Sequence, residues 1–482
     1  MQQHQLQLQD DTEVINLPNS TDKYARHLGL AILFYESQRS GKLPVSQRIL
    51  WRKPAHLSDG WQIGRNLSGG YYDAGDFIKF GLPAAYTASL LGWAAVDYAA
   101  GLRSANEWSN NLAAIRWATD YFIACHVKPN EFVVQVGDPK VDHQYWGSPE
   151  DMPPSMARPV YVASPKYPGS EPAAETAAAM AAASIAFAAS DPRYSATLVR
   201  HAEQLYRLAR QHVGLYQKGI ARQARHGMQG VKDCYESSGY DDELAWAALW
   251  LYRATKKPGY LRESEAHFAR ALRKSGDLSG SFLSWDDKAP AVAMLLARHT
   301  GKRRYLQLAQ RYTQWAERVA PRTPGGLIWV KGGSEWGSTS VAMSTAFLCA
   351  YYDDYRPFVM HLSRSPSLEK FVKQQIDYVI GENPARRSYI VGADRSSPQR
   401  AHHAAAQGVP KGEGWRNYTS MTPNRHVLYG ALVGGPDRHD MFIDRRDDYR
   451  HNEPALDYNA PLVLLLARMN AVKHRRSSHR LA

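Results

Sequence analysis

Residues 177–189 read AAAMAAASIAFAA, an alanine-rich run without a charged side chain. A helix that is apolar on every face must be buried, because it has no polar side to present to water. The run is far shorter than the ~20 residues that a helix needs to cross a bilayer. It therefore predicts a helix enclosed by other elements of a folded domain, and the rest of the chain must supply those elements.

Outward from this run, segments of helical length rich in alanine, leucine and aromatic residues alternate with loops rich in glycine, proline, aspartate and serine. Strand-like alternation is confined to short pieces such as residues 132–136. Several helices are alanine-rich on more than one face, which favours an all-α fold with two concentric helical layers. The predicted helices span residues 22–38, 83–101, 106–125, 172–190, 194–213, 241–255, 259–273, 285–300, 302–320, 338–351, 368–381 and 457–470.

Residues 21–472 contain no linker rich in proline, glycine or serine, which predicts one large catalytic-sized domain. The glutamine-rich residues 1–20 are predicted to be a flexible leader, and residues 473–482 a basic, solvated tail. Three loops are too long for simple connections and are expected to carry function. They span residues 39–82, 126–171 and 382–456.

The composition of the 482 residues, 44% apolar and 22% charged, excludes a disordered or fibrous chain. The net charge of +13 is spread along the chain and accompanies no nucleic-acid reader motif, so neither nucleic acid nor a membrane is an expected partner. The wide spacing of Cys125, Cys234 and Cys349 excludes a disulfide scaffold. The first residues contain no apolar stretch of the kind that a secretory signal needs.

The first candidate for chemistry is the glycine-rich loop at residues 69–76, GGYYDAGD, which displays Asp73 and Asp76 three positions apart. Such a loop can direct both carboxyls into a cleft, although a turn followed by a helix cap would use the same residues. The second candidate is Glu453, which lies among aromatic residues. A partly apolar pocket raises the pKa of a carboxyl and suits a general acid, although a helix dipole also favours a glutamate here.

A third candidate is the pair His402 and His403, within QRAHH at residues 399–403. Adjacent histidine side chains diverge, and the spacing of a zinc protease is missing. Hydrogen bonding to a polar ligand is therefore favoured over a metal site.

Together these segments resemble glycoside hydrolase family 9, the inverting endo-β-1,4-glucanases or cellulases, from about Tyr24 to Met469. The C-terminal segment agrees with the family signature at Phe442, Asp444, Tyr449, Glu453, Ala455, Asn459 and Ala460. Other similar stretches are SGKLP (40–44), GYYDAGD (70–76), VGD (136–138), AETAAA (174–179), SGY (238–240), SWD (284–286), IDYVIG (376–381) and LYGALVGGPD (428–437).

The resemblance implies an (α/α)6 barrel, in agreement with the dozen helices read from the sequence. It implies that Glu453 is the general acid that protonates the glycosidic oxygen, that Asp76 is the base that deprotonates water, and that Asp73 helps to hold that water. Inversion needs one protonated and one ionised carboxyl on opposite faces of the sugar. No cofactor is implied for this chemistry.

Six residues lie at or beside positions that resemble the family's substrate cleft. They are His143, Trp146, Trp285, Trp336, His402 and Tyr458. Flat rings with polar edges suit sugars, although an aromatic residue taken singly is more often part of a core. The implied partner is a β-glucan polysaccharide or oligosaccharide acted on by a monomer, and a polymer outside the cell implies a secreted protein.

A structural calcium site is also implied by resemblance, at Ser238, Gly239, Asp242, Glu243 and Asp286. Hard oxygen donors in this number suit Ca²⁺. Capping of the helix predicted from residue 241 explains the serine and the acids equally well, so both interpretations stay open.

The chain departs from the family pattern at Ser340 and Ala404, where substrate-binding arginines are usual. Loss of a charge-assisted hydrogen bond to a sugar removes about 1.5–3 kcal/mol of binding. Three functions therefore stay open. They are a β-glucan hydrolase, a hydrolase of another β-linked glycan such as mixed-linkage glucan or a glucosamine polymer, and a carbohydrate-binding pseudoenzyme.

Overall fold

The computed structural model describes residues 13–225 and 227–481, and these residues form seventeen α-helices, five of them short. In chain order the helices are α1 (Lys23–Ser37), α2 (Gly81–Asp97), α3 (Ala99–Ser104), α4 (Trp108–Cys125), α5 (Pro139–Asp142), α6 (Ser170–Phe187), α7 (Pro192–Gln211), α8 (Tyr216–Ala221), α9 (Asp241–Thr255), α10 (Pro258–Ser275), α11 (Ala289–Thr300), α12 (Arg303–Arg318), α13 (Ser334–Tyr355), α14 (Pro366–Val379), α15 (Ala404–Gln407), α16 (Tyr449–Asn452) and α17 (Leu456–Leu481). Short 3₁₀ turns occur at Trp61–Ile63 and Gly414–Asn417, and a π-helical turn at Arg356–Met360.

Six long helices of the described chain form a closed inner ring in the order α2, α6, α9, α11, α13 and α17, with α17 packed against α2. Small side chains allow the close approach of these helices. Residues 177–183 of α6 are buried on every face, and a Cβ added at Gly92 of α2 would lie only 2.8 Å from the Cβ of Ala182. The prediction of an enclosed helix at the alanine-rich run is confirmed.

Six more helices pack outside this ring: α1 on α17, α4 on α2, α7 on α6, α10 on α9, α12 on α11 and α14 on α13. The outer helices show one apolar face. In α12, Tyr305, Ala309, Tyr312 and Ala316 are buried at spacings of three or four residues, while residues 303–304 are exposed. The twelve long helices form the (α/α)6 barrel, and each of them overlaps one of the twelve helices predicted from the sequence.

A three-stranded antiparallel sheet in the order β1 (Lys79–Phe80), β2 (Phe132–Val136) and β3 (Val160–Ala163) packs beside the barrel. The second strand lies where the sequence predicts one. Lys79 is paired with Val136, so the loop that carries Asp76 ends in the sheet. The sheet thereby joins the Asp76 loop to the long connection at residues 126–171.

Residues 13–15, within the predicted flexible leader, pair with distant loops through their backbone and the Glu13 side chain. Val14 forms an antiparallel bridge with Ile49, and the Glu13 carboxylate lies 2.8 Å from Nδ1 of His426. Residues 1–12 of the predicted leader lie outside the described residues.

The last helix runs to Leu481, past its predicted end at residue 470 and through most of the predicted basic tail. Lys473 forms an ion pair with Asp22, the residue whose side chain caps the start of α1. Tail side chains from residue 475 onward lie outside the described part. The tail therefore begins as a continuation of the barrel helix rather than as a separate solvated segment.

Cys125, Cys234 and Cys349 are free thiols. A search of the described helices finds none that is both long and apolar enough to span a bilayer.

Candidate active site

A cleft of about 1120 Å³ opens where the inner helices begin. Many of its lining residues immediately precede or open α2, α9, α11, α13 and α17, and others lie within residues 142–146 and 402–418. The long loops at residues 39–82 and 382–456 lead into α2 and α17, and both contribute side chains to the cleft. The expectation that these loops carry functional residues agrees with this placement.

The two acidic motifs, 378 positions apart in the chain, meet at Gly75. Its N–H donates to Oε1 of Glu453 over 3.2 Å. Its carbonyl accepts the N–H of Ala404, the first residue of α15, so the loop also contacts that helix. A Cβ at position 75 would lie 2.4 Å from the carbonyl oxygen of His402. Only glycine therefore allows the Asp73–Asp76 loop to approach Glu453 this closely.

Glu453 has the environment of a general acid. Burial, together with the neighbouring charge of Asp76, raises the pKa of Glu453 to about 8, although the Gly75 N–H and His143 oppose this. Nδ1 of His402 hydrogen-bonds the Arg446 carbonyl over 2.8 Å, and burial lowers the pKa of His402 to about 4. Because Nδ1 of this neutral ring carries the proton, Nε2 carries the lone pair. Nε2 lies 3.9 Å from Oε1 of Glu453.

Asp76 contacts a histidine and the backbone of its own loop. Its Oδ2 lies 3.0 Å from Nε2 of His143, and its Oδ1 accepts a long hydrogen bond from the Ile78 N–H. Burial lowers the pKa of His143, but the hydrogen bond and charge of Asp76, with the nearby charge of Asp142, raise it to about 9. His143 is therefore an imidazolium at neutral pH, and it faces Oδ2 of Asp76.

Asp73 is buried, and its Oδ2 accepts a hydrogen bond from the hydroxyl of Tyr235 over 2.5 Å. Its Oδ1 has no hydrogen-bond partner among residues 13–225 and 227–481. Burial and the charges of Asp457 and Asp76 hold the pKa of Asp73 well above its usual range. The free oxygen leaves Asp73 with one unfilled hydrogen-bonding position for a water molecule.

All six predicted substrate-binding residues line the same cleft as the three acids. They differ in what they expose. Trp336 is 48% exposed and packs against Tyr449 with ring centroids 5.4 Å apart, whereas Trp146 is 5% exposed and donates its indole N–H to Gln407. Trp336 can present a face to a sugar, and Trp146 forms part of the wall.

Four further cleft residues were not predicted as site residues: Asp142, Tyr235, Trp415 and Tyr418. Asp142 directly precedes His143, and this position beside a predicted site residue is the sequence feature that could have pointed to it. Tyr235 reaches Asp73 from a loop 162 positions away, and nothing in its local sequence marks that contact.

The predicted calcium ligands also come together. Ser238, Gly239, Asp242 and Asp286 line the cleft, and Glu243 is buried beneath them. The Ser238 N–H donates to Oδ1 of Asp286 over 2.8 Å. Burial and the charge of Asp242 raise the pKa of Glu243 well above its usual range, and its Oε2 accepts no hydrogen bond within the described chain.

The alternative of helix capping is not what the geometry shows at α9. The N-cap residue of α9 is Tyr240, whose own side chain makes no capping hydrogen bond to the first turn. Instead, Oδ2 of Asp242 accepts the N–H of Lys288 over 2.7 Å, and the Lys288 ammonium lies 3.2 Å from Oε1 of Glu243. Crowded carboxylates with an orphaned oxygen fit a divalent cation.

Comparison with known proteins agrees with the family that the sequence motifs resemble. The family model described as glycosyl hydrolase family 9 matches residues 24–466. Endoglucanase A of Bacillus pumilus is 40% identical over 470 residues, covering 95% of this chain and 67% of that protein. Endoglucanase 15 of Arabidopsis thaliana is 38% identical and covers 93% of this chain and 94% of its own length.

Among solved structures, the endoglucanase of the termite Nasutitermes takasagoensis superposes with a TM-score of 0.86 at 41% identity, covering 94% of this chain and all of that one. The cellulase Cel9M of C. cellulolyticum in complex with cellobiose superposes with a TM-score of 0.85 at 32% identity, covering 94% and 99% of the two chains.

Proposed function

The chain belongs to glycosyl hydrolase family 9 and hydrolyses internal β-1,4-glucosidic bonds of β-glucans, and we propose that it does so with inversion, using Glu453 as acid and Asp76 as base. The observation that carries this division of roles is the meeting of the two motifs at Gly75. At this meeting point, a carboxyl whose pKa is raised to about 8 by burial and the charge of Asp76 lies in the same cleft as Asp76, which is 3.0 Å from His143.

In the proposed reaction, the Glu453 proton passes to the glycosidic oxygen as the bond from that oxygen to the anomeric carbon breaks. A water molecule attacks the anomeric carbon from the opposite face and loses its proton to Asp76. Asp73, through its free Oδ1, holds that water. The leaving sugar retains the acid's proton, and the cleft returns to its starting state when Asp76 passes its proton to solvent and Glu453 regains one.

Inversion is the first testable consequence. The attacking water needs space between the acid and the base, about 6.5–9.5 Å, and a separation near 5 Å belongs to retaining enzymes. We expect the first product released from a β-1,4-glucan to be the α-anomer, measured by proton NMR in the first minutes of hydrolysis. Initial β-product would contradict the assignment of Asp76 as a base that acts on water.

For the substrate, we propose a single glucan chain bound along the cleft by a monomer of this protein. The exposed face of Trp336 and the polar edges of His143 and His402 support it, because sugars present apolar faces and hydroxyl rims. A polysaccharide substrate is met outside the cell, which supports the proposal that the protein is secreted.

We also propose that Ser238, the Gly239 carbonyl, Asp242, Glu243 and Asp286 hold a structural Ca²⁺. The orphaned Oε2 of Glu243 and its two neighbouring acids, Asp242 and Asp286, support this. Bound calcium would neutralise these acids beside the cleft, and the protein chemistry described above does not depend on it.

Chelation tests the calcium proposal by stability. We expect an excess of EGTA to lower the Tm, because an ion that binds only the folded state stabilises it by mass action. Re-adding Ca²⁺ should restore the Tm, and Glu243→Gln should lose that response. A melting curve unmoved by EGTA, with no metal found by elemental analysis, would favour purely structural carboxyls.

Ser340 and Ala404 both line the cleft, which supports a second candidate, namely a preference for another β-linked glycan. Relatives that are hydrolases and three intact acids set the non-catalytic alternative aside. If cellulose contacts are lost at these positions, Ala404→Arg should raise kcat/KM on cellopentaose about tenfold, the worth of one charge-assisted bond. Ala404 is buried beside Trp146, so the folded fraction must be measured in parallel.

We compare the two explanations by steady-state kinetics of Ala404→Arg, alone and with Ser340→Arg. Each variant is measured on cellopentaose and on a second β-glycan. A gain on cellopentaose indicates a weakened cellulase. A loss on cellopentaose, with higher wild-type activity on the second glycan, indicates a cleft remodelled for that glycan.

A further inference from the structure

The loop that carries Asp76 is fixed from both sides by buried charged residues. On one side, the N–H of Phe77, the next residue, donates to Oδ1 of Asp142 over 3.2 Å. On the other, the ammonium of Lys79 lies 2.8 Å from Oδ2 of Asp59. Lys79 also donates to the carbonyls of residues 67 and 69, so the strand that follows Asp76 is tied to the loop that precedes it.

One guanidinium connects these two attachments. Arg158 donates to both oxygens of Asp59, from Nε over 2.7 Å and from Nη2 over 3.1 Å. Its Nη1 lies 3.7 Å from Oδ2 of Asp142. The side chain of Arg158 is 10% exposed, and those of Asp59 and Asp142 are 2% and 3% exposed, so water screens these contacts weakly.

Two cations, Lys79 and Arg158, and two acids, Asp59 and Asp142, make up this group. Burial raises the pKa of Asp59, but the charges of Lys79 and Arg158 lower it well below its usual range. Burial and the charge of Asp76 raise the pKa of Asp142 to about 7, and Arg158 opposes this rise. Asp142 lies close to the base, because one side-chain atom of each of Asp76, Asp142 and His143 lies within 4.8 Å of the others. Loss of Arg158 would remove both the two hydrogen bonds to Asp59 and the cation that faces Asp142.

We propose that Arg158 is a positioning residue for the hydrolysis, which bridges Asp59 and Asp142 and thereby holds the Asp76 loop where the base meets the attacking water. The proposal rests on the role given to Asp76 above. Arg158 itself contacts no reacting atom. A planar guanidinium suits this role because two of its N–H groups bind Asp59 at fixed angles while its third nitrogen, Nη1, lies 3.7 Å from Asp142. The single point charge of a lysine cannot do both.

The test compares Arg158→Met with Arg253→Met, measured well below the Tm of each. Arg253 is a matched control, because it forms a buried 2.7 Å ion pair with Asp97 at the far end of α2, about 24 Å along the helix from its start. We expect Arg158→Met to lower kcat at least about tenfold with KM changed less than about twofold. Arg253→Met should lower the Tm and leave kcat close to wild type.

Arg158→Lys keeps a cation but cannot bridge both acids, and it decides the question if Arg158→Met does not fold. Its kcat should lie between those of the wild type and the methionine variant. A kcat of either Arg158 variant equal to that of Arg253→Met would overturn the proposal.

The pKa of His143 gives a readout that a merely structural role would not move. Asp142→Asn keeps an oxygen for the Phe77 N–H but removes a carboxyl that faces Asp76, His143 and Arg158. Burial lowers the pKa of His143, but the Asp76 contact and the charge of Asp142 raise it to about 9. We therefore expect the pKa of His143, followed by NMR, to fall in Asp142→Asn. An unmoved His143 pKa would contradict the link between Asp142 and the His143–Asp76 pair. Asp76→Asn, assayed alongside, separates the two claims: if it stays active the proposed function fails, and if it is inactive while both Arg158 variants are normal only this proposal fails.

Discussion

Replacing Glu453 with glutamine is expected to lower kcat on soluble cellulose derivatives at least about 100-fold. The amide has nearly the same shape as the carboxyl but no proton to transfer to the leaving oxygen. The Tm should change by less than about 3 °C, because the Gly75 N–H still finds an oxygen acceptor. Steady-state kinetics and a melting curve check both statements.

Glu265→Gln is the matched control for this variant. Glu265 pairs with Lys302 and Arg304 on the outer layer, away from the cleft, and its replacement should leave kcat unchanged. A Glu453→Gln enzyme with a near-normal rate would show that another group donates the proton.

The wild-type pH profile carries the same information. A general acid works only while it is protonated, and burial with the charge of Asp76 raises the pKa of Glu453 to about 8. Activity measured as kcat/KM should therefore hold through neutral pH and fall as the pH rises above about 8. A fall that begins near pH 5 would mean that Glu453 is already ionised in the working range.

Asp76→Asn is expected to cause a loss of similar size, at least about 100-fold in kcat, because asparagine cannot accept the proton of the attacking water. Substrate affinity should change little, since the base acts in the transition state. Asp73→Asn should be damaging but less so, because it alters a residue that holds the water without accepting its proton.

Asp120→Asn serves as the control for the two aspartate variants. Asp120 is exposed on α4 and accepts a hydrogen bond from the Tyr194 hydroxyl, so its change should leave the rate unaffected. Small nucleophiles such as azide should restore part of the activity of Asp76→Asn by attacking without a base. If Asp76→Asn keeps a normal rate and azide does not change it, another residue must be the base.

The helices could be predicted from the sequence because helix formation depends on neighbouring residues. Alanine-rich runs, apolar residues three or four apart and helix-ending proline or glycine are all local features, and they locate the twelve barrel helices. The same holds for Asp73, Asp76 and Glu453, which short ordered motifs mark. The contacts of Glu13 with His426 and of Val14 with Ile49 could not be predicted, because no local pattern shows them.

By itself, then, the sequence determined the helical architecture and the family, and it predicted Asp73, Asp76 and Glu453 as the reacting acids. Only the tertiary structure decided their surroundings. The contact of Gly75 with Glu453, the burial that keeps that acid protonated, the Tyr235 hydroxyl on Asp73 and the Arg158 bridge all join residues from distant parts of the chain. Burial and the distances between charges set a pKa, and both exist only once the chain has packed.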